Sequence, residues 1–264
     1  MAASQEAIDC YISTPDHELP EGFSRSEDGK AYANGFAFDK ALEILTTHPG
    51  YWPIVVEFTH GRLAFTMGTL LVDSQQVKPL HLHCSREDFR WQSTRYDTRE
   101  GRIFCDDFAI FVYFDDVFPG DGGLLVVPGS HKAAFARPAG LFNSGLTANW
   151  EDLPFGVVNV TPRAGDIIVI SELLCHGALQ WQPEERLRRS LVLRYRPQFK
   201  RPPSVPEVLH DRLSPPTREL MAYAHYNHSK TSSKRARCSS LGRRNRIKYR
   251  TPLRRIYTSC PVPT

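Results

Sequence analysis

The 264-residue sequence lacks the features that mark several simple classes of protein. Its six cysteines include no Cys-x-x-Cys pair, which argues against both a disulfide framework and a zinc ribbon. Its longest apolar runs are far shorter than the ~20 residues that span a bilayer, so we expect no membrane partner. The N-terminus has no basic region followed by an apolar stretch, so we expect no secretory signal and a cytoplasmic protein.

Acidic residues are absent from residues 230–264, which contain 11 Lys or Arg. The rest of the chain carries 22 Lys or Arg against 29 Asp or Glu, a net charge of −7, although the whole chain is +4. A basic tail can bind nucleic acid. This tail has little apolar periodicity with which to fold, and the acidic body argues against a broad nucleic-acid surface. We therefore expect a disordered tail and do not expect nucleic acid as the partner.

Hydrophobic patterning divides the rest of the chain into an arm and a β-rich domain. Residues 1–33 are polar and turn-rich, and we expect a loosely ordered arm. Helices are expected from Asn34 to about His48 and from Pro215 to about Tyr226, with Ser214 as the N-cap of the second. Short segments rich in Val, Ile, Phe and Leu lie between turns at 53–58, 63–72, 103–114, 124–128, 156–160, 166–171 and 188–196. This pattern is typical of a β-sandwich or barrel, so residues 34–229 are expected to form one mainly β domain.

Five short motifs follow one another through this domain. They are Pro79-Leu80-His81-Leu82-His83-Cys84, Gly120-Asp121-Gly122-Gly123, Pro128-Gly129-Ser130-His131-Lys132, Ala164-Gly165-Asp166 with His176-Gly177, and Arg186-Leu187-Arg188-Arg189-Ser190. Each motif alone has an ordinary structural explanation. Taken together, an early and a late histidine can meet at the mouth of a barrel, where imidazoles suit Fe(II) and leave positions for a 2-oxo acid and O₂. A buried arginine can then pair with the far carboxylate of that acid.

In this order the motifs resemble the phytanoyl-CoA dioxygenase family of Fe(II)/2-oxoglutarate oxygenases. The resemblance is strongest from Gly120 to Lys132 and extends from about His83 to Tyr195. It implies a mainly β fold, the double-stranded β-helix or cupin-like jelly-roll, with flanking helices. It also implies that His176 binds iron and that Arg188 binds the C5 carboxylate of 2-oxoglutarate, with Ser190 beside it. His131 is structural in such proteins.

The chain departs from the family pattern at the proximal iron ligands, where His-x-Asp is replaced by His83-Cys84-Ser85. Asp107 could supply the missing carboxylate, because it shares a strand face with Phe111 and both would face the cavity if Phe111 does. The alternatives are Glu87 folding back, a three-histidine site that includes His81, a vacant third position as in related halogenases, and an iron-free relic. The expected metal ligands are His83, His176 and Asp107, and the expected co-substrate residues are Arg188, Ser190 and Phe111.

Two functions from different classes fit these observations. The first is a non-haem dioxygenase that uses Fe(II), 2-oxoglutarate and O₂ to oxidise a small-molecule substrate, with hydroxylation as the commonest outcome in the family. The second is a non-catalytic jelly-roll binding protein that has lost its full iron site. The loops at 84–102 and 133–155 are expected to shape the pocket in either case.

Overall fold

The computed structural model describes residues 1–85, 94–133, 153–200 and 203–228. Within these ranges, antiparallel β-sheets are flanked by short helices. The helices are α1 Ala2–Ser13, α2 Lys40–Glu43, α3 Trp52–Thr59 and α4 Pro215–Leu220. The strands are β1 Ala31–Tyr32, β2 Leu63–Asp73, β3 Leu80–His83, β4 Tyr96–Arg99, β5 Arg102–Cys105, β6 Phe108–Tyr113, β7 Gly123–Val126, β8 Val158–Asn159, β9 Ile167–Ser171, β10 His176–Leu179 and β11 Arg188–Pro197.

The strands form two main sheets with the topology of a jelly-roll. The larger sheet has the order β1-β2-β11-β6-β9, and the smaller has the order β3-β10-β7-β8. Along the chain, β2, β6, β9 and β11 of the larger sheet alternate with strands of the smaller sheet, and β4 and β5 form a separate hairpin. This arrangement confirms the predicted double-stranded β-helix with flanking helices.

The strand β11 lies in the middle of the larger sheet, between β2 and β6. Because side chains alternate along a strand, its two faces have different roles. Leu191, Leu193 and Tyr195 are fully buried in a large core shared with the helices. Val192 belongs instead to a second cluster, which contains Phe111 and lies on the inner face of the sheet. Arg188 and Ser190 share this inner face by alternation.

The N-terminal segment is part of the folded core, so the expectation of a loosely ordered arm over residues 1–33 was wrong. Helix α1 buries Ile8 and Tyr11 completely. The hydroxyl of Tyr11 donates a hydrogen bond to the carbonyl oxygen of Ala33 at 2.7 Å, and β1 pairs with β2 at the edge of the larger sheet. A few apolar residues on one helix face are enough to dock this otherwise polar segment.

Three other local predictions need correction. The apolar segment 53–58 is not a strand but most of α3, with proline in its first turn, where helices tolerate it. The helix predicted from Asn34 to about His48 is broken into short turns, because Asn34 adopts a left-handed conformation with φ of 56° and Asp39 caps α2 instead. Helix α4 ends at Leu220, before the predicted Tyr226.

The basic tail predicted for residues 230–264 lies outside the described residues. No helix within the described ranges is long and apolar enough to cross a membrane.

A buried carboxylate links two of the flanking helices. Glu43 at the end of α2 accepts hydrogen bonds from Lys40 Nζ at 2.6 Å and from the backbone N–H and the hydroxyl of Ser214, each at 2.7 Å. Burial alone would raise the pKa of Glu43, but hydrogen bonds from Lys40, Thr217 and Ser214 outweigh burial and lower the pKa to about 2. Ser214 occupies the predicted N-cap position of α4, yet its hydroxyl donates to Glu43 and does not cap a backbone N–H of the helix.

We expect Glu43→Gln to destabilise the fold at pH 7 and to change its response to acid. Because the folded pKa of about 2 lies below the ordinary value of 4.5, the ionised carboxylate stabilises the fold above pH 4.5. This contribution, of the order of 2–3 kcal/mol, is lost as the pH falls towards 2. Urea unfolding between pH 7 and pH 3 measures it. The difference in the free energy of unfolding between wild type and variant should become smaller as the pH falls. The control variant Glu57→Gln, at an exposed position, should unfold with the same free energy as wild type. A difference for Glu43→Gln that does not depend on pH contradicts the assignment.

Candidate active site

Two histidines from distant parts of the sequence lie side by side in the smaller sheet. His83 ends β3 and His176 begins β10, and the two residues are directly opposite each other in the antiparallel pairing. Their imidazole ring centroids are 4.4 Å apart, so both side chains project from the same face. The strand β7 holds β10 from its other edge, where Val126 pairs with His176.

Both imidazoles are fixed in the same tautomer. The Nδ1 atom of His83 lies 2.9 Å from the carbonyl oxygen of His81, and the Nδ1 atom of His176 lies 2.7 Å from that of Leu174. A carbonyl oxygen can only accept a hydrogen bond, so each Nδ1 carries the proton and each Nε2 keeps its lone pair. Histidines that bind metals commonly donate their second ring N–H in this way.

His176 is held neutral by its surroundings. Burial lowers its pKa to about 4, the hydrogen bond to the Leu174 carbonyl opposes this shift, and the neighbouring His83 adds to it. A neutral imidazole with a free Nε2 is the form that binds a divalent metal. The pair His83 and His176 therefore has the geometry expected of two metal ligands, and His176 is in the neutral form that a ligand needs.

The structure does not bring Asp107 to this pair, so the predicted third ligand needs correction. The Oδ2 atom of Asp107 lies 2.7 Å from Nη2 of Arg196 in an ion pair. Across the described ranges, no three His, Cys, Asp or Glu side chains come together as a metal site. This finding also disfavours a three-histidine set with His81, which is exposed. Glu87, the other candidate, lies outside the described residues.

The predicted co-substrate residues share the inner face of the larger sheet. Ser190 pairs with Tyr113 and Val192 pairs with Phe111 across β11 and β6. Arg188 is 5% exposed and Ser190 is 1% exposed, so neither is a solvated surface group. The adjacent Arg189 points to the opposite face, where its Nε donates to Asp115 at 2.9 Å. The alternation predicted for this strand is therefore present.

Three buried polar atoms at the Arg188 end of this face have no hydrogen-bond partner among the described residues. They are Nε of Arg188, Oγ of Ser190 and the hydroxyl of Tyr113, which we call the Arg188 cluster. A buried polar group without a partner costs about 1–3 kcal/mol, so such groups are usually satisfied by a ligand or water. All three atoms can donate, and a carboxylate can accept several hydrogen bonds. The cluster therefore fits the C5 carboxylate of 2-oxoglutarate.

Two residues at this end of the site were not predicted from the sequence. Tyr113 could have been found, because it follows Phe111 on the same face of β6. Asp73, at the end of β2, forms an ion pair with Arg188 in which Oδ2 and Nη2 are 2.7 Å apart and both side chains are 6% exposed. Burial would lower the pKa of Arg188, but Asp73 and Tyr113 raise it, so the guanidinium stays charged. Asp73 is a single acidic residue at the end of an apolar strand, and such a residue does not indicate an ion pair with a distant arginine.

The Gly120-Asp121-Gly122-Gly123 motif has a steric role beside Arg188. Gly122 has a φ of +96°, and a Cβ atom there would lie 2.1 Å from the carbonyl oxygen of Gln180. Gly123 has a φ of +86°, and a Cβ atom there would lie 3.2 Å from Nη1 of Arg188. Only glycine combines these backbone angles with these close approaches. The motif thus lets β7 start directly against the guanidinium.

Comparison with known proteins finds one matching family and several structures with a similar fold. The sequence model of the phytanoyl-CoA dioxygenase family (PhyH) matches residues 68–189. No protein with a curated description matches the chain.

Among solved structures, HygX from Streptomyces hygroscopicus with nickel and 2-oxoglutarate bound is 23% identical, with a TM-score of 0.60 over 75% of this chain and 80% of HygX. HygX with nickel, 2-oxoglutarate and hygromycin B bound is 21% identical, with a TM-score of 0.55 over 75% and 80%. The 2-oxoglutarate-dependent epimerase SnoN from nogalamycin biosynthesis is 19% identical, with a TM-score of 0.50 over 75% of each chain. These structures share the jelly-roll fold. Over residues 68–189 the chain is therefore similar to the phytanoyl-CoA dioxygenase family, and its fold is the one found in these structures.

Proposed function

We propose that this protein is a non-haem Fe(II)- and 2-oxoglutarate-dependent oxygenase that oxidises a small molecule. The observation that carries the proposal is the pair of Nδ1-anchored histidines on the smaller sheet, combined with the unsatisfied Arg188 cluster on the larger one. Iron and 2-oxoglutarate, when bound, supply the oxidising chemistry with O₂. The chain supplies the ligands, the orientation of the co-substrate and exclusion of water.

His83 and His176 would hold the iron through their Nε2 atoms. The described residues supply two protein ligands, and water or a small anion would take a third position that no residue outside these ranges fills. Such a site still has room for the two oxygen atoms of a chelating 2-oxo acid and for O₂. A vacant third position was one of the alternatives for the departure at Cys84 and Ser85, and the ion pair of Asp107 with Arg196 supports it.

The inner face of the larger sheet would bind the rest of the co-substrate. The Arg188 cluster would donate hydrogen bonds to the C5 carboxylate. Hydrogen bonds to a charged group are stronger than those between neutral groups. Phe111 and Val192, next along the same face, form an apolar wall that suits the methylene groups. Their burial also keeps water from the reacting end of the co-substrate.

A second group of charged residues supports a polar substrate. Glu172 pairs with Arg194, and Asp107 pairs with Arg196. This group lies near His83, since the carbonyl oxygen of Glu172 accepts from Ser85 N–H at 2.8 Å. Covering these ion pairs with a fatty acyl chain would remove their remaining contact with water, which is costly for charged groups. A hydroxyl-bearing molecule would replace their hydrogen bonds, and the neighbour HygX was crystallised with the small molecule hygromycin B.

The alternative function, a jelly-roll that binds without catalysis, is favoured by the missing carboxylate after His83. Succinate formation from 2-oxoglutarate separates the two functions. The oxygenase should form succinate slowly with Fe(II) and O₂ alone, and faster with its substrate. If the folded protein forms no succinate and binds no metal, the binding function replaces the proposed one.

We expect His176→Ala to abolish metal binding. Loss of one of two protein imidazoles leaves too few ligands to retain Fe(II). The metal content after anaerobic reconstitution with Fe(II), or with Ni(II) in air, measures this. His131→Ala is the matched control, because the ring of His131 packs against Tyr96 with centroids 4.5 Å apart. A folded His176→Ala protein with unchanged metal content would overturn the ligand assignment.

We expect Arg188→Leu to raise the KM for 2-oxoglutarate far more than Arg186→Leu or Arg189→Leu. Loss of a fully buried charge partner costs roughly 3–5 kcal/mol, about 100-fold or more in affinity, whereas more exposed pairs contribute about 1 kcal/mol or less. Arg186 pairs with Asp121 at 2.7 Å with a side chain 40% exposed. Measuring the turnover of 2-oxoglutarate without substrate gives the KM of each of the three variants.

Arg188→Lys is a second variant in case the leucine leaves Asp73 buried without a partner and unfolds the protein. It keeps the charge beside Asp73 but loses the planar fork, so the KM should still rise. If Arg186→Leu or Arg189→Leu has the largest effect, the face assigned to β11 is wrong.

A further inference from the structure

We propose that Lys30 determines the specificity of this site for a co-substrate with an anionic far end, and that it acts through Asp73 on Arg188. The inference rests on the proposed function. It gives a role to the N-terminal segment, which the family match over residues 68–189 does not cover.

The three residues form a chain of charges in which Asp73 and Arg188 are buried and Lys30 is partly buried. Nζ of Lys30 lies 3.5 Å from Oδ1 of Asp73, while Oδ2 of Asp73 lies 2.7 Å from Nη2 of Arg188. The side chain of Lys30 is 16% exposed. The backbone holds this arrangement in register, because the carbonyl oxygen of Lys30 accepts from the N–H of Val72 at 2.8 Å. Lys30 is therefore fixed beside the residue that pairs with Arg188.

Charge balance gives Lys30 its role. Asp73 and Arg188 alone form a neutral pair, and the carboxylate of Asp73 would repel a second carboxylate brought to the same guanidinium. Lys30 neutralises Asp73 from its far side, so that the three residues together carry a net charge of +1. That charge matches the single negative charge of a C5 carboxylate. In a buried site such interactions are screened little by salt.

The contacts of Arg188 with Asp73 and Gly123 leave its Nε atom available to a ligand. Asp73 occupies Nη2, and Gly123 passes close to Nη1. The Nε atom remains without a partner among the described residues, as do Ser190 Oγ and the hydroxyl of Tyr113. Lys30 and Asp73 thus balance the charge of the guanidinium without occupying the Arg188 cluster. Lys30 is a positioning residue that does not itself contact the co-substrate.

The test compares two 2-oxo acids of equal chain length. 2-Oxoglutarate has a carboxylate at C5, and 2-oxopentanoate has a methyl group there. Calorimetric titration of the full-length protein loaded with Ni(II) gives the dissociation constant of each without turnover. Lys30→Met should weaken 2-oxoglutarate about tenfold, as loss of one nearby charge in a partly buried site does. The affinity for 2-oxopentanoate should change by less than about twofold, because it has no charge at C5.

Three further variants complete the design. Lys30→Arg should restore the preference for 2-oxoglutarate, since it keeps the positive charge. Lys200→Met is the matched control, because Lys200 Nζ pairs with the buried Asp106 at 2.9 Å in a different ion pair. Lys30→Gln replaces Lys30→Met if the latter does not fold.

An equal loss of affinity for both acids would show that Lys30 has a structural role only, and unchanged affinity for both would show that it has none at this site. Either result overturns the inference while the proposed function stands. If the wild-type protein binds neither acid, the proposed function fails and the inference fails with it.

Discussion

The antiparallel pairing of β11 between β2 and β6 is the constraint on which the rest of this structure depends. One face of β11 supplies Leu191, Leu193 and Tyr195 to the core beneath the helices, and the other carries Arg188 and Ser190. The same register sets Arg188 opposite Asp73 and Ser190 opposite Tyr113. A slip of one residue would exchange the two faces, placing leucines at the site and arginine in the core. Core stability and site geometry are therefore fixed by the same pairing.

The two sheets contribute different halves of the candidate site. The smaller sheet holds His83 and His176 in one tautomer through backbone carbonyls, and the larger sheet holds the Arg188 cluster through side-chain ion pairs. Imidazoles need to stay neutral to bind a metal, and burial achieves this for His176. The guanidinium needs to stay charged, and the contact with Asp73 achieves this despite burial. Opposite electrostatic requirements are thus met in one molecule by different local partners.

The apolar pattern predicted a β-sandwich or barrel, and the family resemblance of the ordered motifs implied the jelly-roll. Alternation along β11 likewise placed Arg188 and Ser190 on one face. Prediction failed where tertiary contacts outweigh local pattern. The apolar segment 53–58 suits a helix or a strand equally, and packing against the core selects the helix. Asp107 lies on the predicted face, but its carboxylate forms an ion pair with Arg196 on the neighbouring strand. This contact joins residues far apart in the sequence, so no local pattern could predict it.

The central claim is that a two-histidine metal site and a carboxylate-binding arginine serve the same co-substrate. The most direct measurement is the dissociation constant of 2-oxoglutarate for the wild-type protein with and without Ni(II). If both ends of the co-substrate are held at once, the metal should tighten its binding, and 2-oxoglutarate should tighten binding of the metal by the same factor. Binding of 2-oxoglutarate that is unchanged by the metal would contradict the account, because the histidines and the arginine would then belong to separate sites.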